Sequence, residues 1–328
     1  YFASTTGSEG WFGLEDYFQL EGLAYRLVPI KTVANKANRE IGRIDSDILY
    51  NNLMNRFNDH SRIDTINYPA PANHQPYEYQ WGGINDPRVY NNEDNFRLFG
   101  TIKVLHLNLV NQLIKEGKMD KAEKVLDHIE LLFPPDKTPY LVMSQIYYSL
   151  LTNEVIQGYM NLKTPTGKEK ATKIASRFID FFKMNFDWYA RCDERTLQIQ
   201  SENFRYTVLF LSQMLEILTP EQIDELKPQL KQLDLSSFGP TIVKNTSNKI
   251  DSVVKRMRTA NPDQIGGLQR ELSENLLTLI HIEDAIRYSD STEFSTFISA
   301  EIHKHFDALD QLQPGLGASY KAHLYPDA

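Results

Sequence analysis

The chain has 328 residues, and 35 Lys and Arg against 43 Asp and Glu leave a formal charge of −8. That balance excludes the clustered basic footprint of a nucleic-acid or anionic-lipid surface, so no nucleic-acid partner is expected. No run reaches the roughly 18–20 apolar residues of a membrane span, so no direct insertion is expected, and the 41% hydrophobic content is that of a globular protein.

A single Cys192 excludes an internal disulfide and a cysteine-rich zinc site. Between Trp188, Tyr189 and charged neighbours it reads as a small buried hydrophobe rather than a nucleophile. The opening YFASTTG at 1–7 has no initiator Met, charged n-region or apolar h-region. It does not read as a signal peptide, and the chain is expected to be cut from a longer protein.

Residues 1–57 read as a junction of short strands and helices. Tyr1-Phe2-Ala3 runs into a Ser/Thr/Gly turn, and Leu23, Tyr25 and Leu27 alternate with Ala24, Arg26 and Val28 before Pro29. These two stretches are expected to pair as a small β element with a short helix at Leu14–Leu20 between them. A further helix is expected over Asp45–Phe57, capped by Asp45 or Ser46 and striped by Ile48, Leu49, Leu53 and Phe57. Residues 58–92, with Pro69, Pro71, Pro76 and Pro87 among many Asn and Tyr, read as an irregular loop.

GLEDYFQLEGLAYRLVP at 13–29, DSDILYNNLMNRF at 45–57 and WGGINDPRVYNNEDNFR at 81–97 carry a family resemblance. They are similar to the C-terminal soluble region of bacterial multi-spanning membrane proteins of uncharacterised function, related to protein O-mannosyltransferases and bearing tetratricopeptide-like repeats. The resemblance covers roughly residues 1–150 and departs in the insertion at about 58–80. It implies that the parent membrane domain, with its chemistry, lies upstream. It also implies that this chain sits at the periplasmic face of the bacterial inner membrane.

The residues themselves carry one repeat and part of another. Leu98, Ile102, Leu105, Leu109 and Leu113 recur at three- and four-residue spacing, Gly117 breaks the helix, and Ala122, Leu126 and Ile129 stripe a second one before Pro134-Pro135. This is the arithmetic of a roughly 34-residue helix-turn-helix repeat, with Ala122 where the pair crosses closely. A second unit is expected from Thr138 through a connection at 158–167 into Ala171, Ala175, Phe178 and Phe182. The fold class is therefore mainly α, a tetratricopeptide-like α-solenoid over 93–233 behind a small α/β junction.

Further helices follow at Glu202–Leu218 and from Thr219-Pro220-Glu221-Gln222, which reads as a cap with Pro at the first helical position. The Ser/Gly/Pro/Thr-rich stretch 234–247 reads as a linker. A C-terminal helical segment over 248–328 is expected to hold helices at about 248–258, 262–288 and 291–312. The basic Lys255, Arg256 and Arg258 read as a solvated helix face.

The usual catalytic and phosphate-binding motifs are missing from the sequence, and Gly82-Gly83 lacks a strand and helix to frame it. His303 and His305 point to different helix sides and cannot share a metal with Glu301, and His281 with Glu283 and Asp284 fails likewise. No metal site and no cofactor is expected. Glu15, Asp16 and Glu21 read as acids that start a short helix rather than as a sugar-processing pair.

Two surfaces remain. Stacked helix pairs present a groove from the first helix of each unit, which places Asn111, Lys115, Gln145 and Tyr148 as candidate contacts for a protein or peptide partner. Tyr77, Tyr79 and Trp81 form a second, aromatic candidate surface, with Tyr68 and Tyr90 nearby. The expected function is a non-catalytic extracytoplasmic protein-interaction domain of a larger glycosyltransferase-like membrane protein, not itself an enzyme. The alternatives are a glycan-binding or carbohydrate-active module using the aromatic loop, and a structural brace without a ligand.

Overall fold

The computed structural model describes residues 1–32, 41–55, 84, 86, 88–135, 147–289 and 292–325. Its contacts divide into two compact units, Tyr1–Ala171 and Thr172–Ala328. Twelve α-helices and one four-stranded sheet account for most of the described chain.

The first unit opens with the sheet. Its strands are β1 (Phe2–Ala3), β2 (Phe18–Leu20), β3 (Ala24–Leu27) and β4 (Arg43–Ile44), in the order β1-β3-β2-β4. The expected pairing of residues 1–3 with 23–27 is present, as Phe2 faces Tyr25 and Ala3 faces Ala24 in an antiparallel pair. The helix expected at Leu14–Leu20 is replaced by a short 3₁₀ turn at Glu15–Tyr17 followed by β2. The reason is packing: Phe18 is fully buried, with Phe2 at 4.7 Å, Tyr25 stacked at 5.5 Å and Trp11 edge-on at 6.3 Å. An extended β2 also meets partners on both edges, antiparallel β3 and parallel β4.

Gly42 delivers the chain to β4 at φ +66°, where an added Cβ would lie 2.1 Å from the Phe18 carbonyl oxygen. Only glycine allows that approach.

Helix α1 (Ser46–Tyr50) begins where expected, with the Asp45 carboxylate accepting the Ile48 N–H at 3.1 Å. It continues as a wider π-turn over Asn51–Asn55 rather than as a regular helix, and the last two residues of the expected helix, Arg56 and Phe57, lie outside the described residues. Asn52 donates to the Glu21 carbonyl at 2.6 Å, tying this turn to the β2–β3 hairpin.

Helices α2 (Glu93–Lys115) and α3 (Met119–Leu132) form the expected helical hairpin around Gly117, and α4 (Tyr147–Asn161) packs on both. Leu105, Leu109, Leu113, Ala122, Leu126 and Ile129 are buried as their spacing predicts, whereas Leu98 is 55% exposed. Gly158 lies inside α4, where a connection is expected, and a Cβ there would come within 2.9 Å of Leu126 Cδ2. The real break follows at Leu162–Thr164, before α5 (Pro165–Tyr189), within which the two units divide. Near its start, Lys170 reaches Glu123 at 2.8 Å and Asp127 at 2.6 Å, and Asp127 also accepts the Tyr159 hydroxyl at 2.8 Å. The first half of the second expected repeat, from Thr138 to Ile146, lies outside the described residues.

The second unit holds the rest of α5 with α6 (Glu194–Ile199), α7 (Ser201–Ile217), α8 (Pro220–Leu230), α9 (Gly239–Met257), α10 (Pro262–Ile286), α11 (Thr292–Leu312) and α12 (Leu316–Leu324). Helix α8 carries the expected cap, in which Gln222 Oε1 accepts the Thr219 N–H at 2.9 Å. Helix α10 packs against α7, α9, α11 and α12 through Leu272, Leu276, Leu279, Ile282 and Ile286. Phe186, Tyr189, Phe204 and Phe238 form one aromatic cluster, with Tyr189 edge-on to Phe204 at 5.4 Å.

The expected linker at 234–247 is overtaken by α9 from Gly239 onward. Pro240 sits in its first turn, where a missing N–H costs nothing, and Gly239 lies against the Phe294 ring. Helix α6 has no individual counterpart among the expected helices, and α12 adds a short helix within the expected C-terminal helical segment.

Candidate functional site

The first unit contains a cavity of about 750 Å³ between the sheet and α2. From α2 it is lined by Val104, Asn108, Asn111, Gln112 and Lys115, spaced four, three, one and three residues apart. That spacing is one helix face, turned away from the buried Leu105, Leu109 and Leu113. From the opposite wall come Leu20 and Tyr25 of β2 and β3, Arg43 and Ile44 of β4, and Lys31 and Thr32 beyond the hairpin.

The lining combines apolar Leu20, Ile41, Ile44 and Val104 with amide, hydroxyl and cationic side chains, and has no carboxylate among the described residues that form it. Tyr25, Arg43 and Asn108 are half-buried and Asn111 is exposed. The side-chain polar atoms of these four residues have no hydrogen-bond or ion-pair partner among the described residues. Burial pushes the Tyr25 hydroxyl upward, so it stays protonated and able to donate. Lys31 faces Asp16 at 3.7 Å, and Gln112 donates to Glu116 at 2.7 Å.

The wall behind the cavity is braced by an ionic cluster. Lys118 contacts Asp47 and Glu116, both at 2.8 Å, and Ser46 at 2.9 Å, while Lys121 contacts Asp47 at 2.7 Å. The Lys118 and Lys121 ammonium groups hold the Asp47 carboxyl down to about 2, and Lys118 with Ser46 does the same for Glu116. The cluster fastens α1, which follows directly from β4, to the turn that ends α2.

Of the residues expected to form a partner groove, Asn111 and Lys115 line this cavity. Tyr148 falls in the first turn of α4 with its side chain outside the described part, and Gln145 lies outside the described residues altogether. The aromatic candidates Tyr77, Tyr79 and Trp81 are outside them too. Sequence reasoning missed Asn108 and Gln112, which share a helix face with Asn111 and Lys115 and were legible from that spacing. It also missed Tyr25, Lys31 and Arg43, for which no local signal exists, because only the fold brings the sheet to α2.

Cys192 is half-buried rather than buried, and burial with the neighbouring Asp193 keeps its thiol protonated, donating to the Trp188 carbonyl at 3.4 Å. Among the described residues no three His, Cys, Asp or Glu side chains are placed to hold a metal ion. A smaller cavity of about 290 Å³ in the second unit is lined by amides, hydroxyls, Lys249 and Glu271, and Glu271 is engaged by Arg256 at 2.5 Å.

Residues 1–48 match the family model described as TMEM260-associated domain 2. The matched stretch carries the whole sheet and the start of α1, and with them Tyr25, Lys31 and Arg43 of the cavity, while the α2 wall lies beyond it. No curated protein and no solved structure matches the chain. The match agrees with the resemblance noted in the N-terminal segment as far as a TMEM260-like, O-mannosyltransferase-related family is concerned. Among the described residues no helix is long and apolar enough to cross a membrane.

Proposed function

We propose that the chain is a non-catalytic, extracytoplasmic protein-interaction domain of a larger glycosyltransferase-like membrane protein, and that it holds a peptide segment of its partner in the cavity between the sheet and α2. In this reading the α2–α3 hairpin and α4 are the start of a tetratricopeptide-like array, and the matched N-terminal sheet closes one side of its groove. The periplasmic face of the inner membrane is the proposed location.

One observation supports the reading above the others. Four polar side chains, Tyr25, Arg43, Asn108 and Asn111, line one cavity without a partner among the described residues. Polar groups so placed can exchange water for a ligand, and the amides of α2 together with the polar side chains of the sheet residues suit a peptide's carbonyls and amides. Sugar hydrolysis would need two carboxylates roughly 5–10 Å apart, and the described lining has none.

A peptide array probed with the purified chain tests this. The expected result is a set of peptides whose signal falls at least fivefold with Asn111→Ala and again with Asn108→Ala, both variants keeping the parent thermal midpoint. An array without retained peptides, or retained peptides indifferent to both substitutions, would overturn it.

A further inference from the structure

We propose that the contact between α9 and α11 in the second unit is a proton-operated clasp: His305 takes up a proton and then donates from both ring nitrogens, to Asp251 of α9 and to Glu301 of its own helix. The inference is independent of the peptide-binding reading.

His305 lies on the buried face of α11 with 1% of its side chain exposed, yet neither ring nitrogen has a hydrogen-bond partner among the described residues. Buried polar atoms ordinarily have one. Each nitrogen has a carboxylate within reach instead. Asp251 Oδ1 is 3.6 Å from Nδ1, and Glu301 Oε2 is 3.9 Å from Nε2. A neutral ring carries one N–H and can serve only one of these acceptors, whereas the imidazolium carries two and serves both at once.

The charges around the ring come from both packed helices. Asp251 faces it from α9, and Glu301 and Lys304 from α11; no ionisable group of α10 or α12, which also pack on α11, acts on it. Glu301 Oε2 is already tied to α9 by the Ser247 hydroxyl at 3.0 Å and accepts from Lys304 at 3.0 Å, so its position is fixed. Asp251 is 58% exposed and has room to turn towards Nδ1. Burial pushes the ring below the ordinary histidine value of 6.5, with Asp251 opposing it. The ring is therefore neutral at pH 7, and the clasp is open. As pH falls through the lowered value the proton enters, both contacts shorten to charge-assisted hydrogen bonds of about 2.7–2.9 Å, and α11 is drawn onto α9. The unfolded chain binds that proton more readily, so overall stability falls over the same range, and the clasp reduces this loss without reversing it.

The test is a titration of the full chain from pH 8 to pH 4.5 by NMR, with nitrogen-15 in the histidines and His305 assigned through its backbone. Below its midpoint, two ring N–H cross-peaks that exchange slowly with water are expected, one for each carboxylate. Asp251→Ala, at an exposed position, should erase the Nδ1–H cross-peak and lower the midpoint by about half a unit or more. Glu301→Gln keeps an acceptor but not the charge, and should lower the midpoint while both cross-peaks persist. An unchanged midpoint in Asp251→Ala, or ring protons of the acid form that exchange at the rate of a solvated imidazolium, would overturn the clasp. Loss of the folded amide spectrum before His305 titrates would overturn it too.

Discussion

Asp47 accepts from two lysines at once, Lys118 at 2.8 Å and Lys121 at 2.7 Å. Asp47 lies in the first turn of α1, three residues after β4 ends, and the lysines flank the start of α3. The pair of contacts therefore fixes the distance between the sheet wall of the cavity and the end of α2. Because both lysines hold the Asp47 carboxyl down to about 2, the ionised form is favoured in the folded chain. The stabilisation is present above the usual carboxylate range and is lost as pH falls from about 4 towards 2.

Asp47→Asn should flatten that acid limb. Thermal midpoints measured from pH 5 to pH 2 should fall less steeply for the variant than for the parent chain, and 1 M NaCl should narrow the gap, since Asp47 is exposed. Superimposable curves would show that the lysines contribute nothing.

Ala122 is fully buried where α3 crosses its neighbours. Ala122→Leu adds volume that the packed hairpin cannot absorb and should cost about 1–3 kcal/mol in urea unfolding. Ala122→Ser, close in size, should cost less than the leucine. A leucine variant as stable as the parent would mean that the crossing is loose.

His106 gives the first unit a pH dependence of its own. Its ring is buried, Nδ1 lies 2.8 Å from the Ile102 carbonyl, and the His128 ring is 5.5 Å away. Burial foremost, with the neighbouring histidine, lowers its pKa from 6.5 to about 4. The unfolded chain therefore takes up a proton that the folded chain refuses, and stability falls as pH drops from about 6.5 to 4, by about 3 kcal/mol across the window. Burial lowers His281 and His305 as well, in the second unit. Urea unfolding at pH 7.5 and 4.5 should show a smaller loss for His106→Leu than for the parent chain. An equal loss would assign the effect to other groups.

What sequence alone revealed follows the range of the interactions. Asp45 before α1 and Thr219 with Gln222 at α8 were legible because a cap is satisfied within three residues. Asn111 and Lys115 were legible because a 23-residue amphipathic helix fixes which side chains share a face. Phe18–Leu20 gives no strand signal because three residues carry no period, and its extended state is imposed by partners on both edges. The start of Gly239–Met257 is hidden in the sequence because Gly and Pro mark linkers and helix starts alike. Arg43 and Tyr25 gave no signal at all. Their place opposite α2 is a property of the tertiary fold.

The most direct test of the central claim blocks the cavity itself. In a Cys192→Ser background, Asn111→Cys is labelled with a bulky maleimide, and Asp224→Cys, exposed in the second unit, serves as the control. Affinity for an array-selected peptide is then measured by anisotropy before and after labelling. Labelling at 111 should weaken binding more than tenfold, and labelling at 224 should leave it unchanged. Full affinity in the chain labelled at 111 would contradict the account, because the peptide would then lie elsewhere.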